Sequence, residues 1–352
     1  MNYSSGVIYL SLDGYVELEK YRYVYFVIVL TLYLLIISCN GLVIFIIFTN
    51  KSLHEPMYIF VAALLCNALF GATALYPKLL TDLLSEIHIV SFESCIFQSF
   101  CIYTYSASEF TLLSAMAYDR YVSICKPLQY RTLVKMSTVK KLLCCCWVAP
   151  CCGIGISAIL TYQRKLCKFS LNRIVCDTSS MIKLGCTDFL VSTIYGLFIV
   201  SIVVFPSLFF VFFSYSKILS VCLINSNDFR RKALQTCLPH LLIFISFSIT
   251  GCFEIINTRL EENMPHVFTM IMSMENVVIP PLLNPIIYGL KLKEILNRIK
   301  KLLWKSKTHL EFMNIWIFNQ RAISTLFALS VWGKVTLSKG LREAVNTVIF
   351  FP

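Results

Sequence analysis

Seven stretches of this chain are each long and apolar enough to cross a lipid bilayer as a helix, which takes about 20 residues. They cover residues 24–48, 57–80, 95–118, 139–160, 190–215, 237–256 and 266–290. In hydrocarbon every backbone N–H and C=O must find a partner inside the protein, so runs of this length and spacing fold as helices. The expected fold is an all-α membrane protein, a seven-transmembrane helix bundle over residues 24–290. Composition agrees, with 57% hydrophobic and 14% charged residues, against roughly a quarter charged in soluble domains. The third and seventh runs are less apolar than the first and fifth, as expected of spans that face a bundle interior.

The net charge of +12 would suggest nucleic acid in a soluble protein. Here no aromatic-basic groove pattern or zinc-finger spacing supports that, and no nucleic-acid partner is expected. The basic residues gather in alternate short loops: Lys51; Lys126, Arg131, Lys135, Lys140 and Lys141; Arg230, Arg231 and Lys232; and Lys291, Lys293, Arg298, Lys300 and Lys301. Loops of the other set carry Asp82, Glu86, Glu93, Glu254, Glu261 and Glu262. Basic loops stay on the cytoplasmic side, which puts the N-terminus outside and the C-terminus inside. The loop 161–189 runs against this rule, with Arg164, Lys165, Lys168, Arg173 and Lys183, but its three cysteines read as a small folded lid. Residues 1–23 lack the basic start, apolar middle and cleavage site of a signal peptide and read as an extracellular N-terminus. Asn2-Tyr3-Ser4 is a glycosylation sequon that fits this side. Residues 291–305 alternate lysines with leucine and isoleucine at helical spacing, the pattern of a helix lying on membrane lipid. Residues 306–352 resemble nothing before them and read as a disordered cytoplasmic tail or an extension of the gene model.

Chemistry concentrates at two points. Asp119-Arg120-Tyr121 ends the third run, with Pro127 stopping the helix beyond it. Asn284-Pro285-Ile286-Ile287-Tyr288 closes the seventh run on the same membrane face. A proline there frees a backbone carbonyl, and Asn284 and Tyr288, four apart, share a helix face. Glu109 lies eleven residues before Arg120, about three turns deeper. A carboxylate at that depth is neutral, paired or beside a cation; the reading leans to the neutral form and keeps a cation or proton site open. No metal or catalytic motif appears. The five histidines, His54, His88, His240, His266 and His309, are scattered, with no HExxH or GxSxG, so no enzyme is expected. A transporter or channel would show a two-half repeat or several midplane charges, and neither is present.

These residues carry a resemblance. PMYIF at 56–60, MAYDRYVSICKPLQY at 116–130, SYSKIL at 214–219, RKALQTCLPHL at 231–241 and PPLLNPIIYGLKLKEI at 280–295 stand in order. The chain resembles a class A, rhodopsin-like G-protein-coupled receptor of the odorant receptor family, its wording closest to the fish branch. The resemblance implies a plasma-membrane receptor for a small-molecule odorant that activates a heterotrimeric, stimulatory-type G protein. A non-olfactory chemosensory receptor on the same scaffold is the alternative.

In such receptors the arginine rests on its neighbouring acid in the off state. The implied switch is Asp119, Arg120, Tyr121, Tyr215, His240, Asn284, Pro285 and Tyr288. The implied ligand set is Ile102, Tyr103, Ser106 and Ala107 on the third span, Ser248, Cys252 and Phe253 on the sixth, and Met270 and Met274 on the seventh. Ile102 stands where amine receptors carry an aspartate, so the ligand is expected to be small and mostly apolar. The family pattern implies disulfides Cys95–Cys176 and Cys167–Cys186. It has an acid in the second span where this chain has Asn67 and Ala68, which weakens a sodium ion at Glu109, the one cofactor the resemblance admits.

Overall fold

The computed structural model describes residues 7–186, 190–257, 266–291 and 294–299. Asn2 and the tail from residue 300 on lie outside the described residues. One compact unit runs from Met1 to Ile295. Its helices are α1 (Arg22–Thr49), α2 (Pro56–Leu84), α3 (Phe92–Cys125), α4 (Tyr130–Leu133), α5 (Met136–Tyr162), α6 (Thr178–Ile182), α7 (Leu190–Ile224), α8 (Asn227–Asn257) and α9 (His266–Lys291). The seven long helices match the seven apolar runs, and several continue past them. Among the described residues, four segments qualify as spans by length and composition alone: Leu18–Thr49, Pro56–Leu84, Met136–Tyr162 and Leu190–Ile224. α8 and α9 carry shorter apolar stretches, His240–Cys252 and Val277–Gly289. From residue 294 to 299 the chain is helical.

α3 is the central rod. It touches α2, α5, α7 and α8, and that shielding from lipid lets it carry Glu109, Asp119 and Arg120. Ser91 caps its start by accepting the Ser94 N–H at 3.2 Å. It ends at Cys125, because Pro127 disfavours helical geometry at Lys126. α2 comes close at Gly71, where an added Cβ would lie 2.5 Å from the Tyr105 ring. α1, α5 and α7 turn outward faces rich in exposed Val, Ile and Phe, the surface that hydrocarbon covers.

Prolines inside the spans leave carbonyls without helical donors, and neighbouring helices supply them. Pro285 has no N–H for the carbonyl of Pro281, and Asn40 of α1 donates its Nδ2–H there at 2.8 Å. Pro150 likewise frees the carbonyl of Cys146, which accepts from Thr111 of α3 at 3.0 Å. The same residues that weaken α5 and α9 as isolated helices thus tie them to α3 and α1.

One end of the bundle carries a feature that the sequence reading did not contain. Three short strands, β1 (Tyr9–Leu12), β2 (Ile89–Ser91) and β3 (Ser170–Leu171), form a sheet in the order β2-β1-β3. β1 runs antiparallel to β2 and parallel to β3. Beneath it Leu10, Leu12, Tyr15, Leu18, Val90, Phe92, Leu171, Ile174 and Met181 form a buried apolar cluster against Leu79 and Leu83 of α2. Both disulfides lie at this end: Cys95–Cys176 with Cα atoms 5.3 Å apart and Cys167–Cys186 at 4.9 Å. The first ties the α5–α7 loop to α3; the second closes the loop on itself.

Candidate functional site

At the opposite end, Arg120 lies against Asp119. Its Nε–H donates to Asp119 Oδ2 at 3.0 Å, and a second, Nη2 contact reaches the same oxygen. Asp119 is buried, and its other oxygen accepts the Tyr130 hydroxyl at 2.8 Å. Tyr130 is a partner of Asp119 that the sequence reading did not single out. It stands in the run MAYDRYVSICKPLQY, on α4, folded back by the turn at Pro127–Gln129. Burial and then the Asp119 charge push its hydroxyl above the ordinary tyrosine range, which keeps it a donor.

His240 of α8 joins three helices. Its Nε2 lies 2.9 Å from the carbonyl oxygen of Leu113 on α3, and its Nδ1 lies 2.5 Å from the hydroxyl of Tyr215 on α7. A carbonyl only accepts, so Nε2 carries the proton; Nδ1 is then the acceptor and Tyr215 donates. Asp119, Arg120, His240 and Tyr288 line one small cavity with Met57, Phe60 and Met116. The Tyr288 hydroxyl and Ser214 Oγ are buried without hydrogen-bond partners among the described residues. Tyr121 packs instead on a neighbouring cluster of Ile218, Cys222, Ala233 and Cys237. Pro285 is buried within α9.

Asn284 goes deeper than the switch. Its Nδ2–H donates to Glu109 Oε1 at 2.9 Å, while Asn67 of α2 donates to Oε2 at 2.8 Å and to the Tyr105 carbonyl at 3.0 Å. All three side chains are buried. The bond to a backbone carbonyl fixes the Asn67 amide as a donor, so Oε2 is an acceptor. Two N–H groups aimed at two oxygens suit an ionised carboxylate; the neutral form requires Asn284 turned so that its Oδ1 accepts.

The expected ligand set lies toward the sheet end. Ile102 packs on a cluster of Ile36, Ala72, Leu75, Tyr76, Tyr105, Val277 and Leu282. Tyr103 is half-buried and Ala107 buried. Ser106 spends its hydroxyl on the Ile102 carbonyl at 3.1 Å, and buried Ser248 on that of Phe244 at 2.7 Å. Cys252 is exposed. The side chains of Phe253, Met270 and Met274 lie outside the described residues. Below this level Tyr105, Phe110, Phe244 and Phe247 make an aromatic layer between α3 and α8, with Phe110 and Phe247 centred 4.9 Å apart.

A seven-helix membrane bundle with an arginine–acid pair at one end and a disulfide-tied loop at the other defines a multi-pass receptor. A family profile described as "Olfactory receptor" matches residues 29–306. The chain is 33% identical to mouse Olfactory receptor 4B13 over 86% of its own length and 98% of that protein. It is 34% identical to human Olfactory receptor 10R2, over 83% of this chain and 87% of the relative. Human Olfactory receptor 52Z1P matches at 35% over 76% and 90%. This chain belongs to the olfactory receptor family of class A G-protein-coupled receptors, which are not enzymes.

Proposed function

We propose that this odorant receptor holds a small, mostly apolar ligand among α3, α8 and α9 toward the sheet end, and signals by releasing Arg120 from Asp119 to a stimulatory-type G protein. The single observation that carries the reading is the set of contacts converging on the Arg120 cavity. Asp119 and Tyr130 hold the arginine on α3, while His240 locks α8 to α3 and α7. Moving α8 away breaks the Leu113 and Tyr215 bonds together, and Tyr288, with an unused hydroxyl beside Arg120, gains a partner in the rearranged state. Ligand free energy enters through α8, where Ser248, Phe244 and His240 follow one another at four-residue steps on one face, with the aromatic layer between. A ligand shifts the equilibrium only by its differential affinity for the two states.

Leu128 supports an apolar G-protein contact at the switch end. It is 99% exposed at the tip of the turn Pro127–Gln129. Exposed Arg131, Lys135, Lys140 and Lys141 surround this end, which fits the cytoplasmic side of the plasma membrane. The basic loop that breaks the charge rule has Arg173 beside Asp177 at 3.8 Å and Arg164 donating to Ser192 at 3.2 Å, and its disulfides suit an oxidising exterior. A sodium ion is not part of this reading, because the second-span position that carries an acid in the family pattern is held by Asn67 and Ala68 here. The fish-branch placement rests on motif wording alone. The test is nucleotide exchange on a stimulatory G protein during an odorant screen, with Arg120→Ala alongside. The variant is expected at the surface but silent; full coupling by Arg120→Ala overturns the switch.

A further inference from the structure

We propose that residues 8–18 form a strap that controls passage of ligand into the outer half of the bundle, a proposal that rests on reading that half as the ligand site. The argument starts from strand order. β1 is the middle strand, and β2 and β3 pair with it and not with each other. Strands of three and two residues do not persist without a partner, and among the described residues the backbone hydrogen bonds that join the α2–α3 loop to the α5–α7 loop run through the N-terminal segment. The joining bonds are Phe92 N–H to Ile8 O at 2.9 Å, Leu12 N–H to His88 O at 2.9 Å and Ser11 N–H to Phe169 O at 2.8 Å.

Tyr15 then pins the strap from below. Its hydroxyl lies 3.0 Å from the Ile174 carbonyl and 3.3 Å from Asp82 Oδ2, and its ring stacks on His88 at 4.5 Å. Asp82 is buried and paired with Lys78. Gly14 lies so close to the loop that an added Cβ would stand 2.6 Å from the carbonyl carbon of Arg173.

The loop held this way covers the ligand region. Val175 packs both on the strap's apolar cluster and on the cluster that contains Ile102. The next residue, Cys176, is tied covalently to α3. The disulfide therefore fixes one side of the cover, and the strap is its releasable side. Lifting β1 breaks this handful of hydrogen bonds and uncovers the buried side chains of Leu10, Leu12 and Tyr15.

The test needs no known odorant. In the full-length receptor, Ile102→Cys serves as a reporter for a charged, membrane-impermeant methanethiosulfonate reagent, with the chain lacking this substitution as background. Ser11 and Ile89 face each other at a non-hydrogen-bonded position, where Cα atoms lie about 4.5 Å apart and a disulfide fits. Ser11→Cys with Ile89→Cys locks the strap and is expected to slow reporter modification about tenfold, with mild reductant restoring it. Gly14→Ala pushes strap from loop and is expected to speed modification about tenfold. Tyr15→Phe, which removes only the hydroxyl, keeps the test decisive if Gly14→Ala fails to reach the surface, and is expected to speed modification severalfold. Equal rates in locked, parent and loosened receptors overturn the strap, even where G-protein signalling is intact. Altered rates in a chain that never couples to a G protein would keep the strap and overturn the receptor reading instead.

Discussion

Tyr130→Phe isolates the contact that the proposed switch assigns to the off state. The substitution removes one hydroxyl, 2.8 Å from a carboxylate oxygen of buried Asp119, and leaves the ring in place. A hydrogen bond to a charged group contributes about 1.5–3 kcal/mol; Tyr130 is half-buried, so the lower figure applies. The bond is made where Asp119 also holds Arg120, so its loss falls on the off state. About 1.4 kcal/mol is a factor of ten. A ligand-free active population of about 1% therefore rises to about 10%. The assay is ligand-free nucleotide exchange, normalised to receptor at the surface. The rise must vanish when Tyr130→Phe is placed on Arg120→Ala, since the arginine transmits it. Basal exchange equal to the parent, at equal surface amount, refutes the assignment of Tyr130 to the off state.

Glu109→Gln sets an amide N–H₂ against one of the two asparagine donors, leaving a buried donor without an acceptor at a cost of about 1–3 kcal/mol. The solubilised receptor should melt about 2–8 °C lower, and an unchanged Tm would dissolve the Asn67–Glu109–Asn284 cluster. Cys95→Ser opens a link between residues 81 apart, with a loss of about 4 kcal/mol, and should abolish surface delivery. Cys167→Ser opens a link of only 19, costs about 3 kcal/mol, and should leave more receptor at the surface than Cys95→Ser in a flow-cytometry count.

The spans were readable because burial in lipid imposes length and apolarity on every one of them. Their ends were less readable: α3 runs on to Cys125 and α7 to Ile224, since a helix leaving the membrane keeps its hydrogen bonds while its residues turn polar. Asp119 and Arg120 stand out as charges at the end of an apolar run. The Glu109 cluster does not stand out, because Asn67 and Asn284 reach it from 42 and 175 residues away and no local pattern records that. The sheet was hidden for the same reason. YLSL, IVS and SL are too short for an alternating period to show, and Ser11 meets Phe169 across 158 residues. Tyr130 stands ten residues after Arg120 in the same sequence run, and only the turn at Pro127 brings it back to Asp119.

The Asn40–Pro281 bond sets an order of assembly. The carbonyl of Pro281 waits for a side chain made 241 residues earlier, and Asn40 waits inside the membrane through synthesis of every intervening span. Until the last helix docks against the first, the Pro281 carbonyl lacks this donor and Asn40 keeps only its bond to the Ile36 carbonyl of α1, at 2.7 Å. A bundle without α9 therefore leaves one of the two Asn40 amide N–H groups without its acceptor inside the membrane.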